Sequence, residues 1–200
     1  MAEACRRHAG KAVAVHVDAD DVEAGQRLVS QLADDYGRID ILVNNAPTLT
    51  LGDILTLTPE MFDRHVAVNL RGVFLLTQAV VRHMPPGGRI INIGSVFGEV
   101  ALTAGLDLYA MGEFALTELT RAWAHDLAPR GITMNCIQPG PVHTDMNPKD
   151  GPLSGFLTPR PTIKRYGLVE EIAEMVGYLV GPHTDNVTGW MLNNDGGFSA

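Results

Sequence analysis

Short apolar runs alternate with longer stretches of helical period, and that alternation constrains the fold more than any other feature. The runs are 12–17 (AVAVHV), 39–46 (IDILVNNA), 88–94 (GRIINIG), 132–137 (ITMNCI) and 190–192 (WML). Between them lie helical stretches at 20–36, 59–83, 106–129 and 169–180, the first carrying Val22, Leu28, Val29 and Leu32 among charges. Thr58-Pro59-Glu60 supplies an N-cap, a first-turn proline and an early acid for the second. Strand–helix alternation predicts βαβ units, hence an α/β fold whose parallel sheet carries helices on its faces. The stretch 139–161 holds six of the twelve prolines and reads as a loop or lid. No repeat, low-complexity tract or linker divides the chain, which predicts one domain over residues 1–200.

Composition narrows the partners. With 46% hydrophobic and 19% charged residues, 200 residues can build a sizeable core. Fifteen Lys and Arg against 23 Asp and Glu leave a net charge of −8, which argues against nucleic acid and anionic membranes. Two cysteines, Cys5 and Cys136, exclude a disulfide scaffold. No apolar run approaches the roughly 18 residues of a membrane span. The opening MAEACRRHAGKAV has no signal-like apolar core, so a cytoplasmic chain is expected. The seven histidines show no metal-ligand spacing, and Asp18, Asp20 and Asp21 read as a strand end and helix start. No metal is expected.

In an open parallel sheet, ligands bind beyond the carboxyl ends of the strands. Those ends read Asp18, Asn44-Asn45-Ala46-Pro47, Gly94-Ser95 and Pro139-Gly140-Pro141-Val142. Ser95 and Tyr109 are the most informative pair. A phenol titrates near 10 and needs help to move a proton at neutral pH. A serine hydroxyl can orient the substrate oxygen, and a cation one helical turn away would lower the phenol's pKa. The residue one turn beyond Tyr109 is Glu113, an acid where that chemistry wants a base.

The motifs ILVNNA (41–46), VNLRGVF (68–74), IINIGS (90–95), LYAMGEFAL (108–116), RGITMNCIQPGPVHTDM (130–146) and VTGWMLNNDGGF (187–198) resemble the short-chain dehydrogenase/reductase family. Their order and spacing carry the likeness over essentially the whole chain. The stretch QPGPVHTDMNPKDGP is most similar to 3-oxoacyl-carrier-protein reductase-like members. The resemblance extends, less specifically, to a bacterial subgroup described as binding cyclic di-GMP. It implies a Rossmann-like doubly wound parallel sheet, NAD or NADP as cofactor, and a small carbonyl or alcohol substrate. The family's catalytic tetrad falls on Asn69, Ser95, Tyr109 and Glu113. Asp18, Asn45 and Ala46 match residues at the adenosine end, and Pro139, Gly140, Val142 and Thr144 match the nicotinamide segment. A homodimer packed through the helices at 59–83 and 106–129, or a homotetramer using 187–200, is also implied.

Three departures follow from the same comparison. Glu113 stands where the family has lysine. An ionised carboxylate about 5 Å from the phenolate would raise its energy by roughly 3 kcal/mol at an effective dielectric near 20. Pro47 replaces a glycine, which predicts strain if the turn needs positive φ. No glycine-rich phosphate turn precedes Asp18, so the first two strands of the fold are expected to be missing through N-terminal truncation. The strand at 39–46 would then be an exposed apolar edge, separated from 12–17. Two functions follow as expectations: an impaired NAD(P)-dependent oxidoreductase, or a non-catalytic nucleotide-binding, regulatory or structural relative.

Overall fold

The computed structural model describes residues 11–101 and 103–200; Cys5 lies outside the described residues. Helix α1 (Val22–Tyr36) starts where the Asp21 carboxylate accepts the Ala24 N–H at 2.9 Å. It ends at Gly37, whose φ of 78° is left-handed. Strand β1 (Ile41–Asn44) follows. Helix α2 (Pro59–Val66) is capped by Thr58, whose hydroxyl accepts the Met61 N–H at 3.3 Å. The single helix expected at 59–83 is interrupted: a π turn covers Ala67–Gly72, and α3 (Val73–Val81) resumes beyond it. Gly72 in that turn faces the Ala19 carbonyl with no room for a Cβ.

Strand β2 (Arg89–Ile93), a 3₁₀ turn (Val96–Gly98), helix α4 (Asp107–Leu127) and strand β3 (Thr133–Pro139) form the centre. The lid segment contains one short helix, α5 (Ser154–Leu157), and the chain closes with α6 (Val169–Leu179) and β4 (Met191–Asn194). The four strands pair parallel in the order β1-β2-β3-β4. Val43, Ile91 and Asn135 share one register row, and Asn44, Asn92 and Cys136 the next.

Helices cover both faces, as the sequence predicts. On one, Ile90 and Met134 pack against Val29 of α1, Val80 of α3, and Ala124 and Leu127 of α4. On the other, Ile91, Ile137 and Leu192 meet Leu179 of α6. Each such aliphatic side chain contributes about 1.5–3 kcal/mol on burial. A polar tie crosses the first face: Asn44 Nδ2 donates to Asn92 Oδ1 at 2.8 Å and to Thr77 Oγ1 at 3.1 Å. Asn92 Nδ2 donates onward to Thr120 Oγ1 at 2.9 Å. These bonds pin α3 and α4 to the sheet just below the strand tips.

One strand expectation is corrected. Residues 12–17 form no strand, and Val13 and Val15 are exposed. Alternating apolar residues give local β-preference, but a strand needs a ladder partner, and among the described residues β1 pairs only with β2. The edge expected at β1 is open, with Ile41 45% and Val43 40% exposed.

Candidate active site

Ser95 and Tyr109 meet above the tip of β2. Ser95 leaves the strand and opens the 3₁₀ turn, where its Oγ accepts the Phe97 N–H at 3.2 Å. That bond uses an acceptor site and leaves the hydroxyl proton for another partner. Tyr109 arrives from the first turn of α4, and a hydrogen bond from Ser95 favours its anion. Two larger effects oppose this: desolvation by the surrounding protein, then the nearby Glu113, push the phenol well above its ordinary value. Both residues line a cavity of about 380 Å³ beneath the lid.

Glu113 is 4% exposed, so it is no solvated helix residue. Its carboxyl is tucked against Gly94, where an added Cβ would lie 3.2 Å from Oε2 and 2.9 Å from Cys136 Sγ. Oε2 has no hydrogen-bond partner among the described residues. Burial pushes this carboxyl up to about 8, and pushes the Cys136 thiol up to about 12. Glu113 is therefore protonated at pH 7. The repulsion expected from the sequence, which assumed an ionised carboxylate, is corrected: it operates only as pH climbs past about 8. At neutrality the position one turn beyond Tyr109 is thus largely uncharged.

Asn69 occupies the π turn, and its side chain is fully engaged with the loop after β1. Oδ1 accepts the Thr48 N–H at 2.8 Å, and Nδ2 donates to the Thr48 carbonyl at 2.8 Å. Asn69 and Glu113 share a cavity of about 20 Å³ with Ala46 and Pro47, about the room one water needs. Pro47 is unstrained, because no non-glycine residue among those described has positive φ. The strain expected there is corrected: the turn does not need the conformation that only glycine favours.

Asp18, Asn45 and Ala46 come together around another cavity, of about 210 Å³, beside β1. Pro139, Gly140, Val142 and Thr144 leave the tip of β3 separately. Gly140 N–H donates to the Asn194 carbonyl at 3.0 Å, and a Cβ there would lie 2.7 Å from Asp195 Cα. Val142 bridges to Gly167, and Thr144 turns back on Asn147. None of these four lines the Ser95–Tyr109 cavity, although their neighbours Met146 and Asn147 do.

His65 is the buried site residue that sequence reasoning passed over among seven histidines. It is fully buried, touches Thr50 Oγ1 at 3.3 Å and Asn69 Nδ2 at 3.3 Å, and burial lowers its pKa. Its i,i+4 spacing to Asn69 on one helical face was the available signal.

Comparison with known proteins agrees with this arrangement. Residues 1–199 match the family model described as Enoyl-(Acyl carrier protein) reductase. The chain is 41% identical over 189 residues to the cyclic-di-GMP-binding biofilm dispersal mediator protein of Escherichia coli (strain K12), covering 94% of this chain and 78% of that protein. The solved short-chain dehydrogenase/reductase from Serratia marcescens BCRC 10948 superposes with a TM-score of 0.96 at 47% identity, covering 100% of this chain and 81% of that one. A short chain dehydrogenase from Burkholderia cenocepacia J2315 in complex with NADP gives 0.96 at 37% identity, with the same coverages. Taken with the parallel sheet and the pairing of Ser95 with Tyr109 at its carboxyl edge, these likenesses mean that the chain belongs to the short-chain dehydrogenase/reductase family of NAD(P)-dependent oxidoreductases.

Proposed function

We propose that this chain interconverts a small carbonyl compound and its alcohol with NADP(H), favours reduction, and turns over slowly at neutral pH. The observation that carries this reading is that Ser95 and Tyr109, joined by a side-chain hydrogen bond, both line a largely apolar cavity. The residues that match the family's cofactor segments gather at the ends of two strands. Asp18, Asn45 and Ala46 around their own cavity would hold the adenosine end. Pro139, Gly140, Val142 and Thr144 at the tip of β3 would hold the nicotinamide end. When bound, the cofactor supplies the hydride for the carbonyl carbon.

The chain's own residues manage the oxygen. Ser95 donates a hydrogen bond to the carbonyl oxygen, and Tyr109 passes its phenolic proton to the same atom. Because the phenol's pKa is raised, Tyr109 stays protonated across the physiological range and is ready to donate. The phenolate left behind has no cation beside it, which supports slow turnover. Asn69 fixes the loop after β1 through Thr48. The exposed Phe74 and Phe114 on α3 and α4 support assembly as a homodimer.

Titration of the purified chain with NADPH and NADH, followed by nicotinamide fluorescence, tests binding. Loss of reduced-nicotinamide absorbance with a carbonyl substrate tests turnover. Binding of NADPH and slow oxidation that disappears in Tyr109→Phe are expected. Absence of both overturns the proposal, whereas binding without turnover of any carbonyl favours the non-catalytic alternative.

A further inference from the structure

We infer that the substrate is an uncharged ketone carrying an aromatic or bulky aliphatic group, and that carboxylate- or phosphate-bearing carbonyls are excluded. This deepens the proposed reductase function and rests on it. The cavity that Ser95 and Tyr109 line is walled by Leu49, Phe97, Leu106, Leu153, Phe156 and Leu157. None of the described residues lining it is charged. At about 380 Å³ it lies toward the small end of the usual range for small-molecule sites.

Polarity is confined to a few places. Ser95 and Tyr109 serve one oxygen. Asn147 is already engaged, its Nδ2 donating to the Val142 carbonyl and its Oδ1 accepting from the Tyr166 hydroxyl, each at 3.5 Å. Thr103 adds one neutral hydroxyl. An anionic group held beside the Ser95–Tyr109 pair would therefore lack a cation, which is unfavourable.

The basic residues following α5 are not among those lining the cavity, and each has a partner of its own. Arg160 stacks over the Phe156 ring at 3.8 Å. Lys164 Nζ donates to the Pro159 carbonyl at 2.8 Å. Arg165 grips the Glu171 carboxylate with both terminal nitrogens, at 3.0 and 2.6 Å. Phe97 is itself set edge-on to Tyr109 at 6.1 Å and to Phe198 at 5.9 Å. It thus presents a fixed aromatic wall immediately beside the reacting hydroxyls, suited to a second ring.

Acetophenone and phenylglyoxylate make a matched pair, because the second replaces the methyl group with a carboxylate beside the same aryl carbonyl. Ligand-observed NMR titration of the wild-type chain measures their binding, and NADPH oxidation measures their kcat/KM. Acetophenone should bind and react at least about 100-fold better. Met146, at the cavity margin and 49% exposed, tolerates a longer side chain. In Met146→Arg the preference should narrow by about tenfold, through gained binding of phenylglyoxylate. Equal or better handling of phenylglyoxylate by the wild type overturns the inference, as does failure of acetophenone to bind. Binding of acetophenone without NADPH oxidation leaves the cavity assignment standing and overturns the reductase reading.

Discussion

Glu113 lies one helical turn beyond Tyr109 on α4, yet its carboxyl turns inward against Gly94 and Cys136. That packing makes it a titrating group of the folded state. With its pKa raised to about 8, the native chain keeps a proton that the unfolded chain releases near the ordinary glutamate value. Folding stability from this group is complete below about pH 4.5 and is lost as pH rises toward 8. Between those limits the folded-to-unfolded ratio should fall by up to about tenfold per pH unit. Glu113→Gln, which copies the neutral form, should flatten this slope. Urea melts of both proteins across pH 5 to 8 check it.

The same carboxyl shapes the alkaline behaviour of Tyr109. Alcohol oxidation needs the phenolate, so its rate should rise with pH toward the raised phenol pKa. Above about pH 8 the Glu113 anion holds that pKa higher still. Glu113→Gln should therefore move the rising limb to lower pH, with about a tenfold gain at fixed pH for each unit the phenol falls. Glu113→Lys should move it further. A pH–rate profile of oxidation for the three proteins decides this, and Tyr109→Phe should abolish the limb.

The central strands were legible in sequence because β2 and β3 are buried on both faces and read as short runs rich in apolar residues, broken only by single polar ones. AVAVHV carries the same local preference, but its pairing depends on a neighbour that local sequence cannot supply. The π turn at Ala67–Gly72 escaped because one extra residue barely disturbs a helical apolar period. The meeting of Ser95 and Tyr109 beyond the tip of β2 was legible. The protonation of Glu113 was not: it depends on Gly94 and on Cys136, two strands distant in sequence. Pro47 was over-read for the complementary reason, since the replaced glycine suggested a φ that this turn does not use.

Assembly gives a third prediction. Phe74 pairs with Trp123 across α3 and α4 at a ring separation of 5.4 Å, while Phe74 and Phe114 remain 39% and 42% exposed. In a dimer packed through these helices, Phe114→Glu would remove an aromatic anchor and bury a charge. The substitution should weaken the dimer by roughly 100-fold or more. Sedimentation equilibrium should show a dimer for the wild type and a monomer for the variant, with the far-UV spectrum retained.

Gly112 supplies the sharpest packing test. Replacing a glycine inside a helix with alanine ordinarily stabilises by about 0.5–1 kcal/mol. Here an added Cβ would lie 2.6 Å from His65 Nε2, and the imidazole cannot step aside. It is fully buried, with Thr50 and Asn69 at its nitrogens. Gly112→Ala should therefore destabilise by about 1–3 kcal/mol, the range for overpacked cores. It should also slow turnover, because displacing His65 disturbs Asn69 and, through it, the Thr48 loop. His65→Ser makes room, so the double variant should be more stable than the sum of the two single changes predicts. A double-mutant cycle in urea should give a coupling of at least about 1 kcal/mol. Additive effects would show that α2 and α4 are not locked together at this contact.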